Sequence, residues 1–445
     1  MHPLRILIAL IAASGAASLQ AQWLPLWSGA WQNEKENRSV HPVGVKVPGA
    51  GRIFTLLSVG HDGQEHIALA RFDEGGSFAW MRERPAGDNL GFQPLANGQV
   101  ATVDNFGTVV RVRALDGDTG DIAWEDESRS GRLAVGENVV IAGADGGLML
   151  PAIDGDDIVV IRYGADGSAR PTWRWLPPSP DFRIAHDIVA LPDGGAVVGV
   201  QGNRVTGGYI VVRFDAKGEV VFHDIELGTL DGGSFNRRLR LGVDGGGNVF
   251  AQGTLINPLG NMQAQVWKLA PDGTRLWTTY LVNPANEFLG VEAGGFVLDA
   301  EGNAIVALDA IIEHPMRLLR LDGATGEPLG FGDAPFDGTP HNLALAPNGR
   351  LLLAGTYFIN SQGHAGARLA EFDSGLRPCR SSDLGEQNAA AVPGGGAAGW
   401  TVIANTRWDG SNNEAVLSRY DAKGPCVTGD AIFEDGFEVP PAHRG

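Results

Sequence analysis

Four polar residues share one position relative to a turn and could together bind a ligand. Each lies seven positions before a turn-forming Asp, Asn or Gly, and the four are His186, Arg237, His341 and Gln387. Imidazole and guanidinium groups donate hydrogen bonds to carboxylate and phosphate oxygens. The formal net charge is -18, so a local positive group would attract an anionic ligand. A second hypothesis stays open, in which these residues only line a polar channel.

The remaining sequence offers little other chemistry. It contains no Gly-x-Ser-x-Gly nucleophile elbow, phosphate-binding loop or His-Glu-x-x-His motif. The acid-rich stretches Asp116–Asp126 and Ile153–Ile158 lack the ligand spacing of a helical calcium loop. We therefore assign no catalytic residue, expect no metal or cofactor, and favour a non-catalytic role over an enzymatic one.

The elements that position these residues are predicted by a repeat. In His186–Phe222, short β-branched runs alternate with Gly- and Asp-rich turns, as in a four-stranded antiparallel meander. The turn after the third strand recurs at Asp73, Asp116, Gly164, Asp215, Ala270, Asp322, Asp373 and Asp421. A first-hairpin turn recurs in step, as VPGAGR, LANGQ, VGEN, LPDGG, VDGGGN, LDAEGN, APNGR and VPGGG. The period predicts an all-β fold, an eight-bladed β-propeller of four-stranded antiparallel blades, with seven blades as the alternative.

The position seven residues before the first-hairpin turn differs in the other units. It holds Val43, Leu90, Ser130 and Gly294, where the alignment is looser. In a propeller, this position begins the innermost strand, near the mouth of the central channel. Because the strand-end loops of all blades converge there, the mouth is the favoured ligand site.

A basic residue precedes the third-strand turn by two positions in six of the eight units. These are Arg71, Arg162, Arg213, Lys268, Arg320 and Arg419, whereas Ala114 and Glu371 are the exceptions. We predict that the bases cap turn carbonyls or pair with a carboxylate of a neighbouring blade. A ligand-binding role is the alternative.

Two resemblances support the fold. The stretches LAPNGRLLLAG with ARLAEFDSG, and ALPDGGAVVGV with IVVRFDAKG, resemble the delta-60 type of bacterial β-propeller repeat. VRALDGDTGDIAW resembles the repeat of pyrroloquinoline-quinone-type propellers, whose Trp docks against the neighbouring blade. The resemblance implies comparable positions for Trp80, Trp175 and Trp277. It also implies a quinone pocket with calcium ligands, and no stretch of this sequence matches such a motif.

The two ends differ from the repeats. Residues 1–21 have a basic residue, a short apolar run and small residues, which predicts a cleaved signal peptide. Residues 22–44 contain the aromatic stretch QWLPLWSGAW, predicted to pair with the last blade and close the ring. The propeller is assigned to residues 45–424. Residues 425–445 form a C-terminal tail whose IFEDGFE resembles a short signature on exported bacterial proteins.

The two cysteines, Cys379 and Cys426, are predicted to form a disulfide bond. Export would place them in an oxidising compartment. They follow the third-strand turns of adjacent units at nearly equivalent positions, and the outer strands of adjacent blades diverge. On diverging strands, cysteines at equivalent positions would be too far apart to bond. Pro425 removes this obstacle, because it ends the last blade early and lets the chain cross toward Cys379.

These features predict an exported, non-catalytic scaffold, secreted or periplasmic, that binds a protein or glycan, with an anionic ligand fitting the mouth residues. We expect a monomer with no nucleic-acid partner, since the chain is acidic, and no membrane insertion, since no long apolar stretch follows the signal. The alternative is an enzyme with a site at the channel mouth, either a carbohydrate hydrolase or lyase or a quinone-dependent oxidoreductase.

Overall fold

The computed structural model describes residues 7–8, 27–31, 40–49, 51–61, 64–133, 140–179, 182–202, 208–226, 239–256, 262–281, 292–309, 315–346, 348–358, 365–386, 392–395, 400–408, 413–421 and 426. All regular secondary structure in these residues is β-strand. None of them forms a helix with the length and apolar character needed to span a bilayer. The all-β prediction is confirmed for this part of the chain.

The strands pair antiparallel within separate sheets, and the sheets follow the order of the chain. Near the N-terminus lie β1 (Leu7–Ile8) and β2 (Trp27–Trp31). Blade 1 contains β3 (Val40–Gly49), β4 (Arg52–His61), β5 (Gln64–Phe72) and β6 (Phe78–Pro85). Blade 2 contains β7 (Asp88–Pro94), β8 (Gln99–Phe106), β9 (Val109–Asp116) and β10 (Ile122–Ser130). Blade 3 contains β11 (Arg132–Leu133), β12 (Ile141–Ala142), β13 (Leu148–Asp154), β14 (Asp157–Tyr163) and β15 (Ala169–Trp175).

The same order continues through the second half of the chain. Blade 4 contains β16 (Phe182–Ala190), β17 (Ala196–Gly202), β18 (Tyr209–Phe214) and β19 (Val220–Glu226). Blade 5 contains β20 (Arg240–Val243), β21 (Val249–Ile256), β22 (Met262–Leu269) and β23 (Arg275–Leu281). Blade 6 contains β24 (Glu292–Leu298), β25 (Ala304–Asp309), β26 (Pro315–Leu321) and β27 (Pro328–Asp337). Blade 7 contains β28 (Thr339–Leu345), β29 (Leu351–Phe358), β30 (Ala365–Phe372) and β31 (Pro378–Glu386). The last strands are β32 (Val392–Gly395), β33 (Trp400–Trp408) and β34 (Asn413–Asp421).

This arrangement is a β-propeller of four-stranded antiparallel blades. Seven blades are each built from strands that follow one another in the chain, which is the number given by the alternative prediction. The eighth unit of the main prediction corresponds to a composite sheet, which we define as β32, β33 and β34 together with β2 and β1. In it, β2 pairs antiparallel with β34, as expected for the N-terminal aromatic stretch. The composite sheet contacts blade 1 through β3 and blade 7 through β28, β29 and β31.

The turn after the third strand forms where the sequence predicts it in blades 1 to 7. In each, the first turn residue and the residue four or five positions later join by a backbone hydrogen bond, beginning at Asp73, Asp116, Gly164, Asp215, Ala270, Asp322 and Asp373. Asp421 ends β34, and its turn lies outside the described residues.

The first hairpin of blade 3 differs from the prediction. Its turn is Gly143–Gly147, closed by a hydrogen bond from Gly143 N–H to the Gly147 carbonyl, whereas VGEN lies outside the described residues. The innermost strand is split into β11 and β12, which both pair with β13. Ser130 consequently ends the outermost strand of blade 2 and is not equivalent to His186. The error arose because VGEN resembles a turn but falls in the break between the two half-strands.

The core lies between neighbouring sheets. Val197, Val211, Leu241 and Val249 pack between blades 4 and 5, and further clusters fill the interfaces of blades 5 and 6 and of blades 6 and 7. Alternate residues of each strand face opposite neighbours. The β-branched runs seen in the sequence are therefore apolar on both faces.

The predicted disulfide bond between Cys379 and Cys426 is present, with the Cα atoms 4.4 Å apart. Cys379 lies on β31 and is buried, and Cys426 follows the composite sheet. The bond therefore joins blade 7 covalently to the end of the repeats.

Candidate functional site

The basic residue two positions before the third-strand turn joins its blade to the next one. Four bases donate a hydrogen bond of 2.5–3.1 Å to a backbone carbonyl in the turn of the following blade: Arg71 to Asp118, Arg213 to Pro271, Lys268 to Gly323 and Arg320 to Ser374. Three also pair at 2.8–3.2 Å with a carboxylate in the first hairpin of their own blade: Arg213 with Asp193, Lys268 with Asp244 and Arg320 with Asp299. The predicted structural role is confirmed for these four.

Of the two other bases, one makes a different contact and the other is not described. The Arg162 guanidinium lies over the Trp173 ring, 4.1 Å from its centroid. The side chain of Arg419 lies outside the described residues.

Aromatic side chains on the outermost strands pack against glycines in the turn of the next blade. The pairs are Trp80 with Gly120, Trp124 with Gly167, Trp173 with Gly218, Phe222 with Gly273 and Trp277 with Gly326. A Cβ atom on any of these glycines would lie 2.0–2.7 Å from the facing side chain, and all five have a positive φ between 73° and 93°. Glycine is required there both for the backbone conformation and for the close approach.

The docking that the quinone-type resemblance implied is thus observed for Trp80 and Trp277 but wrong for Trp175. Trp173 makes the contact because it lies on the same face of β15 and two residues closer to the turn. The Trp175 ring instead lies 4.9 Å from that of His223. Trp80 and Trp277 also donate an indole hydrogen bond to the carbonyls of Gly117 and Gly323, at 3.2 and 3.3 Å.

Blade 7 departs from this pattern in two ways. Leu376 occupies the place of the turn glycine with φ 64° and is buried, and its backbone carbonyl lies against Gly332 of blade 6. Glu371 replaces the base. It is fully buried and pairs with Arg350 and Arg380 of its own blade, at 2.9 and 2.5 Å.

Two of the four predicted mouth residues are described, and both lie at a β-bulge of an innermost strand. His186 falls at a register shift of β16 and His341 at one of β28. The His186 Nε2 lies 2.5 Å from Gln201 Oε1, and the His341 Nε2 lies 2.7 Å from Thr356 Oγ1. The predicted positions Val43, Leu90 and Gly294 fall at bulges of β3, β7 and β24. Bulges re-aim side chains and are common next to active sites.

Arg237 and Gln387 lie outside the described residues. The convergence of all four residues on one site therefore stays a prediction. The described geometry shows that the equivalence of the positions was correctly recognised in blades 1, 2, 4, 6 and 7.

Arg240 is a residue of this region that sequence reasoning missed. It begins β20, and its Nη2 donates 3.0 Å hydrogen bonds to the carbonyls of Gly294 and His341, so one guanidinium connects the innermost strands of blades 5, 6 and 7. Its strand partner Gln252 is fully buried, and neither amide atom of Gln252 has a hydrogen-bond partner among the described residues. The only sequence signal was the basic run RRLR, residues 237–240, ahead of the Asp244 turn.

Asp187, next to His186, joins blades 4 and 5. Its Oδ2 accepts a 2.8 Å hydrogen bond from Leu241 N–H, and its Oδ1 accepts one of 2.9 Å from Ile188 N–H. The side chain is buried. This carboxylate therefore holds β16 of blade 4 against β20 of blade 5, next to the bulge at His186.

The turn aspartates serve the backbone. Hydrogen bonds from the backbone N–H groups of Thr119, Glu219 and Thr325 lower the pKa of Asp116, Asp215 and Asp322, respectively, below the ordinary aspartate range. An ionised carboxylate is the better acceptor, so these turns favour the charged form. The turn Asp116–Asp121 is therefore stabilised by its own acid, Asp116, and the residues from Ile122 onward belong to β10.

A cleft of about 590 Å³ opens between blades 5 and 6 on the side of these turns. Its charged lining residues are Asp244, Lys268, Asp299, Glu301 and Asp322. Asp244 and Asp299 pair with the bases described above, and Asp322 accepts backbone hydrogen bonds. In the described part of the chain, no three His, Cys, Asp or Glu side chains are placed to hold a metal ion.

Comparisons with known proteins agree on architecture. No protein-family model and no curated protein sequence matches the chain. Among solved structures, quinohemoprotein alcohol dehydrogenase from Comamonas testosteroni matches with a TM-score of 0.50 and 10% identity, over 87% of this chain and 77% of that one. The shared feature is the propeller fold.

Two further solved structures match at lower scores. Quinohemoprotein alcohol dehydrogenase ADHIIG from Pseudomonas putida HK5 has a TM-score of 0.48 at 12% identity, over 87% of this chain and 76% of that one. Kuenenia stuttgartiensis hydrazine synthase has a TM-score of 0.48 at 12% identity, over 73% and 95% of the two chains. A fold alone does not define a function, so function must be argued from the site.

Proposed function

We propose that this protein is an exported, non-catalytic β-propeller scaffold that binds a protein or glycan ligand at the cell envelope or outside the cell. The observation that supports this proposal is that the repeated charged and aromatic residues connect one blade to the next. Lys268 and its equivalents, with Trp277 and its equivalents, are engaged between blades. Blades 1 to 7 joined at their turns in this way make a rigid support, and rigid supports present ligand-binding loops at low entropic cost.

The binding surface of this proposal is the channel mouth. His186 and His341 lie at bulges of the innermost strands, and Arg240 adds a positive charge beside His341. Arg237 and Gln387 are proposed to complete the site. On a chain with a formal net charge of -18, such a group favours an anionic ligand.

The other parts of the proposal follow from the sequence. A cleaved signal peptide in residues 1–21 would direct the protein to the periplasm or the medium. The disulfide bond is consistent with an oxidising compartment. We also propose that β2, β32, β33 and β34 of the composite sheet act as the eighth blade of the mature protein, since β1 lies within the proposed signal peptide. The protein is further proposed to be a monomer that neither binds nucleic acid nor inserts into a membrane.

The experiment is a calorimetric titration of the mature chain with a panel of neutral and acidic oligosaccharides, in wild type and Arg237→Ala. We expect saturable binding of an acidic member, weakened about tenfold by Arg237→Ala at unchanged thermal stability. A melting temperature several degrees lower with unchanged affinity would make Arg237 structural. Turnover of a panel member would replace the scaffold by an enzyme.

A second candidate is an enzyme with a site at the channel mouth, either a carbohydrate hydrolase or lyase or a quinone-dependent oxidoreductase. The bulged, buried His186 favours it, since bulges are common beside active sites. A quinone with calcium would need several acidic ligands, and the described residues do not form such a donor set. We therefore derive no step through these groups. A thermal-shift screen with calcium and quinone tests the oxidoreductase, and turnover of an oligosaccharide in the titration above would identify a hydrolase or lyase.

A further inference from the structure

Three arginines lie together between blades 1 and 2, in a group that the repeat does not predict. We define the arginine cluster as Arg84 on β6, Arg111 and Arg113 on β9, and Asp104 on β8. Elsewhere between blades 1 and 2, residues such as Phe54, Val100 and Leu115 are apolar. A buried charged group beside these apolar residues carries a desolvation cost, so its presence calls for a reason.

The single buried carboxylate of the cluster is already engaged by two of its arginines. Asp104 is fully buried and pairs with Arg84 at 2.7 Å and with Arg111. It also accepts a 2.7 Å hydrogen bond from Gly87 N–H. Asp104 therefore holds the two guanidinium groups in place.

The cluster contains more positive than negative charge. Arg113 pairs with the half-exposed Glu125 at 2.9 Å, so three guanidinium groups face two carboxylates. Asp88, at the start of β7, is exposed and pairs with none of the three in the described contacts. Burial, together with the charges of Arg111 and Arg113, holds the pKa of Arg84 below its ordinary value despite Asp104.

One arginine of blade 3 shows the opposite balance. Arg174 is shared by Asp154 and Asp157, at 2.5 and 3.2 Å, so that one base faces two acids. In the arginine cluster, three guanidinium groups face only two carboxylates. The donors in excess at this site are suited to an oxyanion.

An aromatic ring lies beside these donors. Phe106 ends β8 and is 63% exposed, although large apolar side chains are usually covered. The Arg111 guanidinium lies 4.9 Å from the ring centroid, which orients both groups by a cation–π contact. An exposed ring next to a guanidinium offers an apolar platform for the C–H face of a sugar.

We propose that the arginine cluster and Phe106 bind an acidic saccharide, with the guanidinium groups of Arg111 and Arg113 donating to its carboxylate and the Phe106 ring covering one sugar face. This rests on the proposed function and adds to it a second site with a defined ligand chemistry. Two arginines in fixed planes match the geometry of a carboxylate better than mobile lysines would.

The test is a calorimetric titration of the full chain with three probes: a galacturonic acid trimer, a neutral galactose trimer and sodium sulfate. The variants are Arg113→Met and Phe106→Ala, which change exposed or half-exposed side chains and leave Asp104 paired. Arg174→Met is the matched control, an arginine on another blade paired with two acids. We expect Arg113→Met to weaken the acidic trimer and sulfate about tenfold, and Phe106→Ala to weaken only the trimer, about fivefold. The control should stay within twofold of wild type.

Three results would overturn this inference. In the first, both cluster variants bind the acidic trimer as wild type does. In the second, the neutral trimer binds as tightly as the acidic one. In the third, binding of the acidic trimer is lost in Arg237→Ala but kept in the cluster variants, which removes this site and leaves the proposed function standing.

Discussion

The junction between blades 5 and 6 and the junction that follows blade 7 are held by different chemistry. In the first, Lys268 and Trp277 of blade 5 bond to the Gly323 carbonyl in the turn of blade 6. In the second, Glu371 stands where the base should be, and the Cys379–Cys426 bond makes the connection. The comparison indicates that a blade which loses the repeated contact has a substitute.

The same lesson applies to the other exception in the base pattern. Blade 2 has Ala114 in place of the base, and Asn97 Nδ2 instead donates a 2.9 Å hydrogen bond to the Ala165 carbonyl in the turn of blade 3. Blade 2 also carries two of the three arginines of the cluster. Repeated residues build the ring, and departures from the repeat are where another role should be sought.

Of the changes that test this comparison, breaking the disulfide bond should have the largest effect on stability. The bond closes a span of 47 residues, which the chain-entropy treatment converts to about 4 kcal/mol. Cys379→Ser should therefore lower the melting temperature by roughly 5 °C for a chain of this size. Calorimetry of the variant, beside wild type with and without reductant, measures this. A variant as stable as oxidised wild type would mean that other contacts hold this junction.

The second largest loss of stability is expected from removing the buried carboxylate of blade 7. Glu371→Gln takes away the charge with which both Arg350 and Arg380 pair, and breaking a buried ion pair costs about 3 kcal/mol. Denaturant unfolding measures the loss, with Glu301→Gln, an exposed turn acid, as the control. Equal stability of the two variants would show that Glu371 is not needed at this junction.

Removing the base of the blade 5–6 junction should have a smaller effect. Lys268→Met leaves Asp244 without its cation and takes one donor from the Gly323 carbonyl, at a cost of about 2 kcal/mol. Lys217→Met, at an exposed turn position, is the matched control. The structural role of the bases would be refuted by a Lys268→Met protein that unfolds at the same denaturant concentration as this control.

The smallest expected effect is a pH dependence of the regular turns. Because the folded-state pKa of Asp116, Asp215 and Asp322 is lowered, their contribution to stability is present above the unfolded aspartate pKa of about 4. It is lost as the pH falls through the lower folded values. The melting temperature should decline below about pH 4, less steeply in Asp215→Asn. An identical acid decline in that variant would exclude Asp215 as a contributor.

Local patterns in the sequence predicted the turns, the bases at Arg71, Arg213, Lys268 and Arg320, and the equivalent positions on the innermost strands, because each recurs once per blade. The bulges at these positions were not predicted. Trp173 was confused with Trp175 because both lie on one face of one strand. The excess of positive charge in the arginine cluster could not be predicted from the sequence, since Arg84 and Arg111 come from different blades and meet only when these blades pack together. Likewise, nothing local marks Arg240 as the residue that contacts His341.

The central claim is that the repeated bases hold the ring together while unrepeated residues bind the ligand. Its most direct test measures both melting temperature and affinity for the galacturonic acid trimer in Lys268→Met and Arg113→Met. The account predicts that Lys268→Met melts lower at unchanged affinity, and that Arg113→Met binds about tenfold more weakly at unchanged melting temperature. The account would be contradicted by loss of affinity in Lys268→Met, or by Arg113→Met losing stability without losing affinity.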